Sequence, residues 1–208
     1  GGIDSAVVVA LAAKALGAEN VLPVLLPSQY THSFSVTEAE KLAQNLGCDY
    51  KIIPIQNIYN AFEDELNEHF IGLDADVTEE NLQARSRGVI LMALSNKLGY
   101  ILLNTTNKSE MAVGYGTLYG DLCGGLSVIG DVYKTAVYEL AEYINRNEEI
   151  IPRFIIDRPP SAELKEDQKD SDSLPSYDVL DPLLHLYIEG RKGPKELIKM
   201  GFEEAVVK

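Results

Sequence analysis

The chain has 208 residues, 46% hydrophobic and 24% charged, which suits a single domain, 1–208, with a real core. Eighteen Lys and Arg against 32 Asp and Glu give a formal net charge of −14, which argues against general binding to nucleic acid or an anionic membrane, since both need basic patches. Cys48 and Cys123 stand far apart with no Cys-x-x-Cys pair, so disulfide-framework and thiol-redox classes drop out and a reducing, cytoplasmic setting is expected.

The chain opens on Gly1-Gly2-Ile3-Asp4-Ser5, followed by an apolar run over residues 6–16 that predicts a buried helix closed by Gly17. A glycine-rich turn feeding a helix N-terminus is an anion site, because free N–H groups and the helix dipole face the ligand. The turn lacks the Lys of Gly-x-x-x-x-Gly-Lys-Ser/Thr, so an ordinary γ-phosphoryl-transfer loop is not expected. Taken alone, the five residues also fit a plain turn and helix cap. A loop of this kind follows a strand, and neither that strand nor an initiator Met stands ahead of Gly1. A preceding strand and a longer parent chain are therefore expected.

Residues 21–27 form a short apolar run of the kind found in buried parallel strands, and residues 28–33 a polar loop. Helical spacing of Val36, Ala39, Leu42, Ala43 and Leu46 predicts a helix over residues 36–46, ended by Gly47. Residues 50–55 make the next strand, residues 58–70 an amphipathic helix, and residues 74–78 a polar link. A long helix is predicted over 79–98, ended by Gly99, and a strand over 100–104. Residues 114–130 are glycine-rich, which marks turns or a close approach. Helices are predicted over 132–145, 179–188 and 195–200, with residues 158–173 reading as a solvated charged loop. Alternating strands and helices at this spacing predict an α/β fold with a parallel sheet and right-handed crossovers. Ligands in such sheets sit beyond the carboxyl ends of strands. Residues 1–5, 27–33 and 105–110 meet that condition.

Several segments, in order, then become specific. They are Gly1-Gly2-Ile3-Asp4-Ser5, Asn81-Leu82-Gln83-Ala84-Arg85-Ser86-Arg87 and Asn104-Thr105-Thr106-Asn107-Lys108-Ser109-Glu110. Gly114-Tyr115-Gly116-Thr117-Leu118-Tyr119-Gly120-Asp121, Val132-Tyr133-Lys134-Thr135, Arg158-Pro159-Pro160-Ser161-Ala162-Glu163-Leu164 and Asp167-Gln168-Lys169-Asp170 follow. Together they resemble the synthetase domain of the NAD synthetase family, in its glutamine-dependent form. That family belongs with the ATP pyrophosphatases, whose loop reads Ser-Gly-Gly-x-Asp-Ser. The resemblance covers nearly the whole chain. It implies a three-layer, Rossmann-like adenine-nucleotide α-hydrolase fold, a homodimer, ATP and Mg²⁺. The implied reaction adenylates the nicotinate carboxylate of deamido-NAD, releases pyrophosphate, and lets ammonia displace AMP to give NAD.

Residue roles follow from the resemblance. Gly1 and Gly2 bring backbone close to the ATP phosphates, Asp4 is catalytic and holds Mg²⁺, and Ser5 donates to a phosphate. Thr105 contacts ATP and would also cap the next helix. Glu110 serves metal and substrate, although by itself it reads as a helix-surface carboxylate. Lys134 binds the ATP phosphates and is catalytic; a cation near a helix start is unfavourably placed without such a ligand. Ser161 contacts ATP. Arg85 contacts deamido-NAD and shares a helical face with apolar Leu82 and Val89; Arg87 is its helper or is solvated. Tyr115 packs on the nicotinate ring or is an ordinary core or rim tyrosine. Leu118 stands where ammonia-dependent members carry a Lys, and they carry an Asp near Gly125, so substrate contacts there are rearranged. Basic substrate-binding residues would follow Lys208, and a glutaminase domain would lie elsewhere in a full-length chain. His32, His69 and His185 form no metal-ligand pattern, and Cys48 and Cys123 read as packing residues.

Two alternatives stay open on the sequence. One is another pyrophosphate-loop amidotransferase, of the GMP or asparagine synthetase type, against which the Arg158 to Leu164 stretch argues. The other is a nucleotide-binding module without turnover, as in the universal stress proteins. AMP and pyrophosphate as products mark the ligase; intact bound ATP marks the module.

Overall fold

The computed structural model describes residues 2–208. Gly1 and the strand expected ahead of it lie outside the described residues. The chain runs α1 (Ile3–Leu16), β1 (Val24–Leu25), α2 (Ser33–Leu46), β2 (Lys51–Ile52), α3 (Gln56–Leu66), α4 (Val77–Leu98), β3 (Leu103–Asn104) and α5 (Lys108–Val113). It continues with β4 (Leu126–Ser127), α6 (Lys134–Ile144), α7 (Arg153–Asp157), α8 (Tyr177–Ile188), α9 (Pro194–Lys199) and α10 (Glu204–Val207).

α1 is the centre of the molecule. Its apolar residues are not confined to one stripe, and Ile3, Ala6, Val7, Val8, Ala10, Ala12 and Ala13 are all buried. A helix apolar on every side must be covered on every side. Here α2, α6 and α7 supply cover, with Leu42, Ile129, Val137, Ile151 and Ile155 in the same core. The small residues of α1 let these neighbours approach closely.

β1 and β2 pair in parallel, Val24 with Lys51 and Leu25 with Ile52. β3 and β4 pair in parallel, Leu103 with Leu126 and Asn104 with Ser127. The parallel arrangement agrees with the sequence, but the expected strands of five to seven residues shrink to two-residue ladders, and among the described residues the two pairs form separate sheets. A ladder needs partners on both chains, whereas an apolar run registers only burial. β4 and α7 were not predicted: β4 lies in the glycine-rich stretch, and α7 is only five residues long.

Helix ends follow local chemistry. Gly47 and Gly99 end α2 and α4 in the left-handed region, at φ 72° and 75°. α4 starts two residues before the prediction because Asp76 accepts from the Thr78 N–H, while the Glu79 carboxylate accepts from the Asp76 N–H. On α4, a Cβ at Gly88 would lie 2.8 Å from the Tyr119 carbonyl. Gly88 therefore lets residues 119–120 lie directly on the helix, which fixes the glycine-rich loop over the cleft.

Candidate active site

β3 ends at Asn104, and the chain turns at once into α5. Asn104 is buried and satisfied: its amide donates to the carbonyls of Asp121 (2.7 Å) and Cys123 (3.2 Å), and its carbonyl accepts from the Thr106 N–H (2.9 Å). Asn107 then caps α5 reciprocally with Glu110. The Glu110 N–H donates to Asn107 Oδ1 (3.0 Å), and the Asn107 N–H donates to Glu110 Oε2 (3.2 Å). Asn107, not Thr105, is the cap; Thr105 stays at the cleft wall. The pattern Asn107-x-x-Glu110 is a capping box readable in the sequence.

Asn107 also reaches α1. Its Nδ2 donates to Asp4 Oδ1 at 2.9 Å. The other Asp4 oxygen is bound by Lys134 Nζ, which also lies 3.5 Å from Glu110 Oε1. Three residues far apart in sequence thus meet in one ion cluster. Glu110 is not a surface carboxylate; its side chain is 16% exposed, as is that of Asp4, while that of Lys134 is 2% exposed. Burial alone would pull the Lys134 ammonium down, but Asp4 and Glu110 reverse that and hold it above its ordinary value. Burial, then the Asp4 carboxylate, push the Glu110 carboxyl up to about 7 against the pull of Lys134.

That shift has a signed consequence. Between pH 4.5 and about 7 the folded, metal-free protein keeps a proton on Glu110 that the unfolded chain has released. This group's contribution to stability therefore falls as pH rises through that window and levels off above it, by on the order of 1–3 kcal/mol. Glu110→Gln removes the dependence. In urea unfolding without metal, the variant's midpoint gains on the wild type between pH 5 and 7.5; a gap independent of pH would contradict the shift.

Two residues to which the sequence assigns no role complete the cluster. Asp170 is buried and accepts from the hydroxyls of Tyr177 (2.9 Å) and Tyr115 (3.4 Å). Lys134 Nζ lies 5.4 Å from the Tyr177 ring centre. Burial raises the Asp170 carboxyl and both tyrosine hydroxyls above their ordinary values. The segment read as a solvated charged loop is therefore pinned at both ends. At its start Arg158 donates to Ser35 Oγ (2.7 Å) and to Glu163 Oε1 (2.6 Å), tying the loop to α2.

Gly2, Asp4, Ser5, Thr105, Lys134, Ser161, Glu110 and Tyr115 all line one cleft of about 1730 Å³. Ser5 turns its hydroxyl back onto the Gly2 carbonyl (3.0 Å), and Ser161 accepts from the Glu163 N–H. Tyr115 packs at the wall, its hydroxyl on Asp170. Arg85 is not among the residues lining the cleft. Its face of α4 is solvent-facing, with Val89 exposed, and its Nε donates to the Leu118 carbonyl at 3.2 Å. Arg87 is the arginine turned into the cleft. Its Nε donates to the Leu26 carbonyl at 3.0 Å, and burial pulls the guanidinium down to about 10. Gln83, Ala84, Arg87 and Gly88 share that inner face at helical spacing, the small residues marking close packing.

The start of α1 faces the cluster. No side chain caps it, and the first intrahelical bond runs from the Ala6 N–H to the Gly2 carbonyl. The N–H groups of residues 3–5 thus precede the first helical bond, as at an anion-binding helix end. With Lys134 beside them, they form a cationic lip backed by two carboxylates.

A model of the NAD synthase family matches residues 1–208. The chain belongs to the NAD synthase family. It is 52% identical over 209 residues to the glutamine-dependent NAD(+) synthetase of Acinetobacter baylyi, covering 100% of this chain and 39% of that protein. It is 51% identical to that of Thermotoga maritima, covering 100% of this chain and 36% of the relative. The chain therefore spans well under half the length of these curated relatives. Among solved structures it resembles the glutamine-dependent NAD+ synthetase of Acinetobacter baumannii in complex with ADP. That match has a TM-score of 0.74 and 47% identity, over 99% of this chain and 37% of the other. It also resembles NMN synthetase from Francisella tularensis, with TM-score 0.79 and 30% identity over 88% of this chain and 73% of that one. These NAD synthase relatives share the Rossmann-like α/β fold. Among the described residues no helix is long and apolar enough to cross a membrane.

Proposed function

We propose that this chain is the ATP-dependent amidating domain of a glutamine-dependent NAD synthetase, acting on deamido-NAD. The observation that carries the reading is the Lys134 ammonium held between Asp4 and Glu110 beside the open N-terminus of α1. A carboxylate resists attack by an amine until its oxygen becomes a good leaving group, and adenylation supplies one. The substrate carboxylate oxygen bonds to the α-phosphorus of ATP as the bond to the pyrophosphate oxygen breaks. Ammonia then bonds to the acyl carbon, AMP leaves, and a proton passes from nitrogen to solvent.

Negative charge grows on pyrophosphate in the first step. Lys134 and the α1 N–H groups are fixed before the reaction begins, so they stabilise that charge without reorganising. Asp4 and Glu110 hold Lys134 in place and keep it charged. The donor set fits Mg²⁺. Among the described residues no three His, Cys, Asp or Glu side chains converge on a metal site. Two carboxylates, with phosphate and water oxygens completing the shell, match the habit of this ion. Asp4 and Glu110 would hold it, and it would neutralise phosphate charge. Thr105 and Ser161 line the ATP side of the cleft, and Tyr115 offers a ring to the nicotinate. Arg85, on the outer face of α4, is the proposed contact for the distal part of deamido-NAD.

Ammonia is proposed to come from glutamine through a separate domain. The two cysteines are free, Cys48 buried and Cys123 half-buried. A homodimer is proposed from the family resemblance. The test is product analysis of the full-length protein with ATP, deamido-NAD and ammonium. AMP and pyrophosphate form in step with NAD; ADP and phosphate as the stoichiometric products would refute the reading.

A further inference from the structure

α6 begins at Lys134 without a cap of its own: its N-cap residue is Tyr133, whose side chain makes no capping bond. The helix is capped instead from two other elements. The Lys134 N–H donates to Ser109 Oγ (2.9 Å), and the Ser109 hydroxyl donates to Asp181 Oδ1 (2.6 Å). The second Asp181 oxygen accepts from the Thr135 N–H at 2.8 Å. All three residues are buried: Ser109 is 0% exposed, Lys134 1% and Asp181 3%. Asp181 stands on α8 among buried Leu180, Leu183 and Leu184, so its α8 anchorage is rigid. Ser109 is the residue before Glu110.

We infer that Asp181 is a positioning residue for adenylation, acting through Ser109 to fix Lys134 and Glu110 against Asp4. A buried carboxylate with one hydrogen bond on each oxygen is a costly group to bury for helix capping alone. Its placement answers a specific difficulty. A lysine at the first position of a helix meets the positive end of the dipole, and a carboxylate at that end offsets it. The same α8 braces the outer side, where Glu189 accepts from Lys108 Nζ and from the Tyr133 hydroxyl, on the residues just before Ser109 and Lys134. Asp181 is not among the residues lining the cleft; it sets where the Lys134 ammonium sits. The inference rests on the function proposed above.

The test is a double-mutant cycle in the full-length protein, read by deamido-NAD-dependent exchange of labelled pyrophosphate into ATP. Asp181→Asn and Ser109→Ala are each made alone and with Lys134→Ala. In the native background Asp181→Asn lowers kcat about 10- to 100-fold, a loss in the range of preorganised electrostatic groups, and Ser109→Ala lowers it less. In the Lys134→Ala background each costs under about twofold, because the group they position is gone. Losses that multiply in full across both backgrounds, or variants that lose thermal stability yet exchange at the native rate, overturn the inference. Ser109→Ala decides alone if Asp181→Asn does not fold. A wild-type protein without exchange would instead count against the proposed function.

Discussion

Lys134→Ala is expected to lower the adenylation rate by about 10²–10³, the cost of removing one preorganised group from the developing charge. The side chain is nearly inaccessible and contacts both Asp4 and Glu110. Removing it takes the cation from the pyrophosphate and leaves two carboxylates facing each other. Glu110, already raised to about 7, then takes up a proton near neutrality. Pyrophosphate exchange measures the first effect, and a proton inventory of the folded variant at pH 7 measures the second. A variant within threefold of wild-type exchange would show that Lys134 is only structural. Breaking this buried ion cluster is also expected to cost stability, about 3–5 kcal/mol if the carboxylates stayed charged and less because one is neutralised.

Asp4→Asn is expected to be at least as damaging to activity, by about 10³ at low Mg²⁺, while leaving the fold intact. The residue lies in the first turn of α1, and its amide oxygen can still accept from Asn107 Nδ2. What disappears is a charge that Lys134 and a hard cation both need. The checking measurement is exchange rate against Mg²⁺ concentration, with unfolding by circular dichroism as control. Unaltered Mg²⁺ dependence would separate Asp4 from the metal.

Much of this arrangement was legible in the residues. α1, α4 and their glycine stops follow from patterning and caps. The open start of α1 needed only the glycines and the helix behind them. The misplacement of Lys134 at a helix start was itself a sign of a partner. Asn107 could have been found as a capping box with Glu110. Other parts had no local signal. Asp170 closes a segment that carries the family resemblance, but no local pattern assigns it a role: it lines the cleft, with the Tyr177 hydroxyl on it, only because the charged stretch folds back. Arg87 differs from Arg85 by two positions, half a helical turn, and which of them faces β1 is decided by tertiary packing. Strand length was overestimated because burial extends past the residues that pair.

In the proposed reaction the substrate carboxylate becomes an acyl adenylate at this cluster. The direct measurement uses deamido-NAD carrying ¹⁸O in the nicotinate carboxylate, turned over with ATP and ammonium by the full-length protein. One ¹⁸O is expected in the phosphate of AMP and none in pyrophosphate. AMP without label, or label found in pyrophosphate or inorganic phosphate, would contradict it.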